Sequence, residues 1–297
     1  MVVNVVEYSG NLPVIDPNNK NLMLYLTPKG QSNNSIDRDK WYDYHKRYTA
    51  ELIDANFSSA SGWLEDSQGI SYLQLNSGSK MRIPGFYPFA LDPTRPSTQN
   101  DAMGSGMTIE LDFEIDGITD YDADIVKCLS TDSTGLNWVG FTITGNKVKF
   151  YSFDKNGSAK KGALTTQTLV EGKRTRLSFV IEKNDIDDSN PDPLYFPMCY
   201  TYLNGILSSS VLYDKNDRFV DSSDNAAQLQ IDSTNAQIKI YGIRFYTIAL
   251  KDRAILENYT ASLPTLVERQ ARYDTNNVYN DNDLIDFELV SDPNYDL

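Results

Sequence analysis

The chain has 297 residues, of which 40% are hydrophobic and 11% aromatic, and 19 of them are tyrosines. Its formal net charge is −14 and its isoelectric point is about 4.5. An acidic field of this size repels nucleic acid and anionic membranes, so we expect neither as a partner. The apolar content is enough for the core of one large β-sandwich, and the excess of tyrosine suits strands and binding surfaces.

Residues 1–20 are predicted to form an N-terminal segment with one short strand over residues 2–6. This stretch has no apolar core of the kind that a signal peptide needs, because Glu7 interrupts it early. No apolar run in the chain approaches the length that spans a bilayer. We therefore expect neither export by a secretory signal nor membrane insertion; a protein released by cell lysis needs no such signal.

Residues 21–63 contain the first predicted strand of the sandwich, over residues 21–26, followed by a series of aromatic and small residues. The order is W-x-D at Trp41, then Leu52, then Asn56-Phe57, then Ser61-Gly62-Trp63. A short amphipathic helix over residues 39–54 is the local alternative, because Trp41, Tyr44, Tyr48 and Leu52 have roughly helical spacing.

From Ser71 onward the pattern predicts many short strands and little helix. Gly145-Asn146 and Asn204-Gly205 each separate two alternating runs at the spacing of a β-hairpin. Regular turns between short strands indicate an antiparallel sandwich. The predicted strands are Ser71–Leu75, 80–83, 107–115, 125–129, 138–143, 147–153, 164–169, Thr175–Glu182, Met198–Leu203, 207–212, 227–231 and Gln237–Tyr246.

The stretch 237–259 is the most informative part of the sequence, because its period changes within it. Residues 237–246 alternate with a period of two, with Ile238, Ile240, Gly242, Arg244 and Tyr246 on one face. A short helix then begins near Asp252, and Ile255, Leu256 and Tyr259 share one side of it. Residues 262–297 are predicted to connect to a further domain or partner; a tail packed on the same domain is the alternative.

This ending resembles the closing signature of laminin-G-like domains in bacteriophage virion proteins, which have a concanavalin A-type jelly-roll fold. The Y-x-N-G-x-L pattern at residues 202–207 and the opening motifs at residues 41–63 are similar to that family as well. The residues that match the closing signature are Ile243, Arg244, Phe245, Tyr246, Ala249, Leu250, Ile255, Leu256, Asn258 and Tyr259.

The resemblance implies an all-β, antiparallel jelly-roll sandwich over residues 21–261, with short peripheral helices. It also implies a non-enzymatic structural or adhesion module of a phage tail, baseplate or fibre, located in the virion. Its partners would be other virion subunits, with the chain as a homo-oligomer, and a carbohydrate of the host surface.

A glycoside hydrolase is the second hypothesis, and it depends on residues 109–115. Glu110, Asp112 and Glu114 share one face of this predicted strand and resemble the E-x-D-x-E motif of retaining jelly-roll β-glucanases. The resemblance implies Glu110 as nucleophile, Glu114 as general acid/base, and Asp112 as the group that tunes them. Retention needs carboxyls about 5 Å apart, while strand positions i and i+4 are about 13 Å apart, so the side chains must lean together. A half-solvated structural strand is the alternative.

Aromatic side chains on the central predicted strands are the candidates for carbohydrate binding, since sugars stack on exposed rings beside polar groups. A role in the core is the alternative for each of them. The candidates are Trp138, Tyr151, Tyr200 and Tyr202.

A calcium site is the one cofactor hypothesis that the sequence offers. Asp120, Asp122 and Asp124 form a D-x-D-x-D run, and laminin-G-like domains often bind Ca²⁺ through such side chains. Solvated loop acids are the alternative. The single histidine, His45, and the two cysteines, Cys128 and Cys199, give too few ligands for zinc and no nucleophile signature.

Overall fold

The computed structural model describes residues 19–86, 106–119, 124–129, 137–154, 160–182, 198–212, 217–218, 228–233 and 235–262. Within these ranges the chain forms seventeen strands and one helix. The strands are β1 (Leu22–Leu26), β2 (Lys40–Tyr42), β3 (Thr49–Ile53), β4 (Gly62–Glu65), β5 (Ser71–Leu75), β6 (Lys80–Pro84), β7 (Gly106–Asp116), β8 (Asp124–Leu129), β9 (Asn137–Thr144), β10 (Lys147–Asp154), β11 (Lys160–Lys161), β12 (Thr175–Glu182), β13 (Met198–Leu203), β14 (Ile206–Leu212), β15 (Asp217–Arg218), β16 (Gln228–Asp232) and β17 (Gln237–Tyr246), and the helix is α1 (Asp252–Ser262).

The strands form two antiparallel sheets that pack face to face. Sheet A has the order β14-β13-β12-β7-β17-β5-β4, and β1 pairs with the C-terminal half of β17. Sheet B has the order β11-β10-β9-β8-β16-β6-β3-β2, with β15 beside β10. The predicted antiparallel β-sandwich is therefore confirmed.

One hydrophobic core fills the space between the sheets, and strand alternation explains which residues enter it. On β7, Ile109, Leu111, Phe113 and Ile115 are buried in this core, while the residues between them face the opposite side of sheet A. Each such side chain contributes about 1.5–3 kcal/mol by leaving water. We call the side of sheet A that faces away from this core its outer face.

Two tryptophans close one end of the core. Trp41 and Trp63 meet edge to face, with ring centroids 5.2 Å apart. Each indole N–H donates to a backbone carbonyl, that of Thr27 and that of Arg38 respectively. Both large rings are therefore buried while each indole N–H keeps a hydrogen-bond partner. This explains why the opening motifs carry tryptophan at these positions.

Both predicted hairpins are present. Thr144 pairs with Lys147, and Leu203 pairs with Ile206, across two-residue turns. The turn residues Asn204 and Gly205 have φ of 54° and 82°, the positive values that a type I′ turn requires. Gly205 has a second constraint, because an added Cβ would lie 2.8 Å from the Leu256 side chain on α1.

Strand β17 contains a β-bulge that the sequence pattern does not reveal. The pairing with β7 shifts between Ile240 and Gly242, so Tyr241 is the extra residue. Because of the shift, Ile243 and Phe245 join the core, and Arg244 faces outward beside Glu110. The predicted single alternation through residues 237–246 is therefore wrong beyond Tyr241, since a bulge changes which residues face inward.

Helix α1 covers part of the outer face of sheet A. It begins at the predicted Asp252, and Ile255 and Tyr259 are buried against the sheet. A second, smaller apolar cluster lies at this contact, formed by Leu22, Val180, Tyr202, Tyr246, Ala249, Leu250 and Ile255. None of the described helices is long and apolar enough to cross a bilayer.

Two local predictions are wrong. The alternative helix over residues 39–54 is instead strands β2 and β3, joined by a turn that the buried Asp43 carboxylate stabilises through bonds from the backbone N–H groups of His45 and Arg47. The predicted strand over residues 164–169 is a loop with one isolated bridge, between Leu164 and Lys149. Residues 1–18 of the predicted N-terminal segment (1–20) and residues 263–297 of the predicted connector (262–297) lie outside the described residues.

Candidate functional site

The acids of β7 lie on the outer face of sheet A, and the register brings basic residues beside each of them. Glu110 pairs in register with Arg244 on β17, and Asp112 with Arg176 on β12. Lys239 lies opposite Glu114. The E-x-D-x-E pattern thus becomes a row of ion pairs across three neighbouring strands.

Glu110 is completely buried beneath α1. Its carboxylate accepts hydrogen bonds from Arg244 Nε at 2.8 Å, Asn258 Nδ2 at 3.1 Å and Ser178 Oγ at 3.3 Å. Arg176 Nη1 lies 3.7 Å from the same carboxylate. Burial raises the pKa of Glu110 above its ordinary value, against the opposing effect of Arg244 and the hydrogen-bond donors.

Asp112 is held by two arginines. Arg174 donates two hydrogen bonds to its carboxylate, at 2.9 and 2.6 Å, in the bidentate arrangement that suits a guanidinium. Arg176 adds a third at 3.0 Å and also donates to the carbonyl of Asn258 on α1. Both carboxylates of this half of the strand are therefore saturated by side chains of the same sheet and helix.

The outer face of sheet A also carries a groove of about 320 Å³, which no residue of α1 lines. We call it the β5–β17 groove. Its walls are polar, with carboxyl, amide, ammonium and hydroxyl groups within a short distance of one another. Its lining residues are Ser59, Ala60, Leu64, Tyr72, Gln74, Glu114, Asp116, Gln237 and Lys239.

Tyr72 lines this groove, and Tyr241 contacts it from outside the lining. The rings of Tyr72 and Tyr241 have centroids 5.5 Å apart, and both side chains are partly exposed. The Lys239 ammonium lies 5.5 Å from the Tyr72 ring and makes an ion pair with Glu114, while the Arg174 guanidinium lies 4.2 Å from the Tyr241 ring. Burial, and then the charge of Glu114, raises the pKa of Tyr241 far above its ordinary value, so its hydroxyl stays protonated.

The turn at residues 58–61 forms one rim of the groove and is fixed by Asn33. The Asn33 amide donates to the carbonyls of Ser58 and Ser61, and its oxygen accepts from Trp63 N–H. Gly62 follows the turn with φ of 85°, and an added Cβ would lie 2.4 Å from Asn33 Oδ1. The S-G-W motif therefore serves to shape this rim.

The placement of the acids bears directly on the glycosidase hypothesis. Glu110, its nucleophile, has no exposed surface, because α1 and the neighbouring strands enclose it. A raised pKa is what a general acid needs, but a polysaccharide cannot contact this carboxyl. Asp112 is bonded to Arg174 and Arg176, and Glu114 to Lys239. The acids that the sequence pattern selects thus stabilise the sheet and its contact with the helix.

Of the four predicted sugar-binding aromatics, the three whose side chains are described do not come together. Tyr151 lies in sheet B and is fully buried. Tyr200 and Tyr202 are neighbours on β13 in sheet A, where Tyr202 is buried and donates a hydrogen bond of 2.6 Å to Asp252 at the start of α1. Trp138 belongs to β9, and its side chain lies outside the described residues, so its role stays a prediction.

The predicted calcium ligands fall mostly outside the described part of the chain. Asp120 and Asp122 are not described, and Asp124 is described only as the first residue of β8. Among the described residues, no group of three or more acidic, cysteine or histidine side chains is placed to hold a metal ion. The calcium site stays a prediction.

The sequence did not predict that the residues of the β5–β17 groove form one site. Tyr72, Gln74 and Gln237 belong to strands that were correctly predicted, but their common location depends on β5 pairing with β17 across more than 160 residues of chain. The one available signal was the outward position of Tyr72 and Gln74 on an alternating strand.

No family model matches the chain, and no curated protein matches it. Solved structures do match. The receptor-binding domain of botulinum neurotoxin D is 13% identical with a TM-score of 0.52, over 80% of this chain and 52% of that chain. The binding domain of Paraclostridial mosquitocidal protein 1 is also 13% identical with a TM-score of 0.52, over 81% and 52%.

The binding domain of botulinum neurotoxin DC, solved in complex with SialylT, is 12% identical with a TM-score of 0.51, over 81% of this chain and 51% of that chain. The chain thus spans about half the length of these structures. At such low identity the likeness concerns the fold alone. It supports the predicted β-rich architecture, and it gives no support to the laminin-G and phage parts of the sequence resemblance.

Proposed function

We propose that this chain is a non-enzymatic binding module that holds a glycan in the β5–β17 groove. The observation that carries the proposal is the partly exposed Tyr72 ring, which lines the groove beside amide and carboxyl groups and has the Tyr241 ring 5.5 Å behind it as a neighbour outside the lining. Sugar rings stack their apolar faces on aromatic side chains while their hydroxyls bond to neighbouring polar groups.

Two further findings support the proposal. The fold is shared with the receptor-binding domain of botulinum neurotoxin D and with the binding domain of botulinum neurotoxin DC, which was solved in complex with SialylT. The acids of β7, which a hydrolase would need, are engaged in ion pairs with Arg244, Arg174, Arg176 and Lys239. A binding role needs no free acid pair, whereas a retaining hydrolase does.

The setting that we propose for this module is a bacteriophage tail, baseplate or fibre, with the chain located in the virion as a homo-oligomer among other virion subunits. The support is the sequence resemblance of the strand-and-helix ending at residues 237–259. Mass spectrometry of purified particles from the source of this chain tests the setting. Absence of its peptides from intact particles would contradict the virion part and leave the glycan proposal standing.

The glycan proposal is tested by binding of the purified chain to a panel of bacterial and animal glycans. We expect a subset of glycans to bind, and Tyr72→Ala to weaken that binding by about tenfold through loss of stacking. Tyr44→Ala is the matched control, because Tyr44 is an exposed tyrosine outside the groove lining and its loss should leave binding unchanged.

Thermal unfolding of both variants shows whether they fold like the parent. Failure of the parent chain to bind any glycan in the panel would contradict the proposal. Binding that Tyr72→Ala leaves intact would also contradict it, because the ligand would then sit elsewhere.

A further inference from the structure

The charges around the β5–β17 groove are mostly negative. Glu114 and Asp116 line it directly, and Asp116 is exposed. The carboxylates of Asp116 and Glu171 both accept a hydrogen bond from the backbone N–H of Gly117, at 2.8 and 3.0 Å, so the two acids converge at one end of the groove. The lining thus carries two carboxylates and one ammonium group, that of Lys239.

The two cations nearest the tyrosines are already engaged. Lys239 pairs with Glu114 and lies over the Tyr72 ring. Arg174 donates two hydrogen bonds to Asp112, and its guanidinium lies over the Tyr241 ring. A carboxylate on the ligand would have to share Lys239 with Glu114 and would lie close to that protein carboxylate, so it would be repelled by it.

Sugar hydroxyls, unlike a ligand carboxylate, should be attracted by the acids of this groove. A hydroxyl donates, and the carboxylate oxygens of Asp116 and Glu114 are acceptors that bind donors more strongly than a neutral oxygen does. Gln237 is exposed at the same wall and offers an amide that both donates and accepts. The groove therefore supplies partners for neutral hydroxyl groups and repulsion for acidic ones.

We propose that the β5–β17 groove selects uncharged glycans and excludes those that carry a carboxylate, such as sialylated ones. This inference rests on the proposed glycan-binding function and names the ligand class of that same site. The chain's net charge of −14 acts in the same direction, since it lowers the concentration of anionic ligands near the surface.

The test compares matched glycans that differ only by a terminal sialic acid, immobilised at equal density, at low salt. We expect the neutral member of each pair to bind about tenfold more tightly than the sialylated one, since like charges a few ångströms apart near a protein surface cost this much or more. The difference should shrink at high salt, because screening weakens repulsion between exposed charges.

Two variants locate the selectivity in the groove. Asp116→Asn removes an exposed charge with almost no change in shape, and Glu114→Gln removes the partner of Lys239; each should reduce the preference for the neutral glycan several-fold. Glu51→Gln is the matched control, because it makes the same charge change on sheet B and should keep the full preference. Asp116→Asn keeps the test valid if Glu114→Gln fails to fold.

The outcomes separate the two proposals. Binding to neutral and sialylated members alike, or preference for the sialylated member, would overturn the selectivity and leave the glycan proposal intact. Equal preference in the parent and in Asp116→Asn would show that the charge of the groove does not set the selectivity and would also overturn it. No binding to either member would overturn the proposed function and the inference with it.

Discussion

The two halves of β7 carry the same alternating acids and have different surroundings. Glu110 lies beneath α1, enclosed by Arg244, Arg176 and Asn258. Glu114, four residues along the same face, borders an open groove and pairs with the partly exposed Lys239. A row of acids on a strand therefore has no single role: what covers each acid decides whether it supports the fold or meets a ligand.

The covered half and the open half should also differ in energy. A buried ion pair adds little net stability, but removal of one partner leaves the other charged and dehydrated, at a cost of about 3–5 kcal/mol. An exposed pair contributes about 0–1 kcal/mol. Variants in the covered half should thus lower stability, and variants in the open half should change binding.

The largest effect is expected for Glu110→Ala. The change leaves Arg244 without its 2.8 Å partner in a site that is closed to solvent. We expect the free energy of unfolding to fall by about 3–5 kcal/mol, measured by urea denaturation. Glu114→Ala, the matched change beside the groove, removes a partly buried acceptor of Lys239 and Tyr241 and should cost less, about 1–2 kcal/mol.

Equal losses of stability from Glu110→Ala and Glu114→Ala would contradict the proposed difference between the two halves. A double variant tests the cause of that difference. Glu110→Met with Arg244→Met removes both charges together and should be more stable than Glu110→Met alone, because neither partner is left buried and unpaired.

The difference between the covered and the open half of β7 also shows which features the sequence can predict. The strand around Glu110 and the helix around Ile255 were predicted correctly, because alternation and helical spacing are local signals. The location of α1 over Glu110 and away from Glu114 depends on long-range packing, which no local pattern encodes. The bulge at Tyr241 likewise needs the register with β7 to be known.

The resemblance in the closing motif now has a physical basis. Its Arg244 is the partner of Glu110, its Tyr246 accepts a hydrogen bond from Asn258, and Asn258 links both to the helix. The motif thus describes how the helix is held on the sheet. For that reason it predicted the fold well. It carried no information about the groove, because none of the residues that match the motif lines it.

A smaller effect is expected for Asn258→Ala, which removes the hydrogen bonds from α1 to Glu110 and Tyr246. The buried carboxylate then loses one donor and keeps two, so the free energy of unfolding should fall by about 1–3 kcal/mol. Urea denaturation measures it. Glu257→Ala, a neighbouring and more exposed helix residue, is the control and should change stability by about 0.5 kcal/mol or less.

Tyr202→Phe should show a smaller loss that depends on pH. At neutral pH it removes the 2.6 Å bond to Asp252, worth about 1 kcal/mol. Burial, and then the bond to Asp252, raises the pKa of Tyr202 far above its ordinary 10.0. As the pH rises, the phenol therefore loses its proton in the unfolded chain before it does so in the folded chain. The stability that the protonated phenol contributes is present below pH 10 and is lost as the pH rises above 10.

Unfolding measured across pH 8–11 tests this assignment, with the parent losing stability more steeply above pH 10 than Tyr202→Phe does. Tyr44→Phe, at an exposed tyrosine, should keep the slope of the parent. Identical slopes for the parent and Tyr202→Phe would show that the phenol at the start of α1 is not held in its protonated form by the fold.

The smallest effect on stability is expected for Gln237→Ala. Because its fold should be unchanged, this variant distinguishes most clearly a residue that binds the ligand from one that supports the fold. Gln237 is exposed at the first position of β17, and its amide oxygen lies 3.5 Å from Gln74 Nε2, so its removal should change the free energy of unfolding by about 0.5 kcal/mol or less. Glycan binding should nevertheless weaken by several-fold, because the groove loses a donor and an acceptor. Unchanged binding in a fully stable variant would mean that this wall of the groove does not contact the ligand.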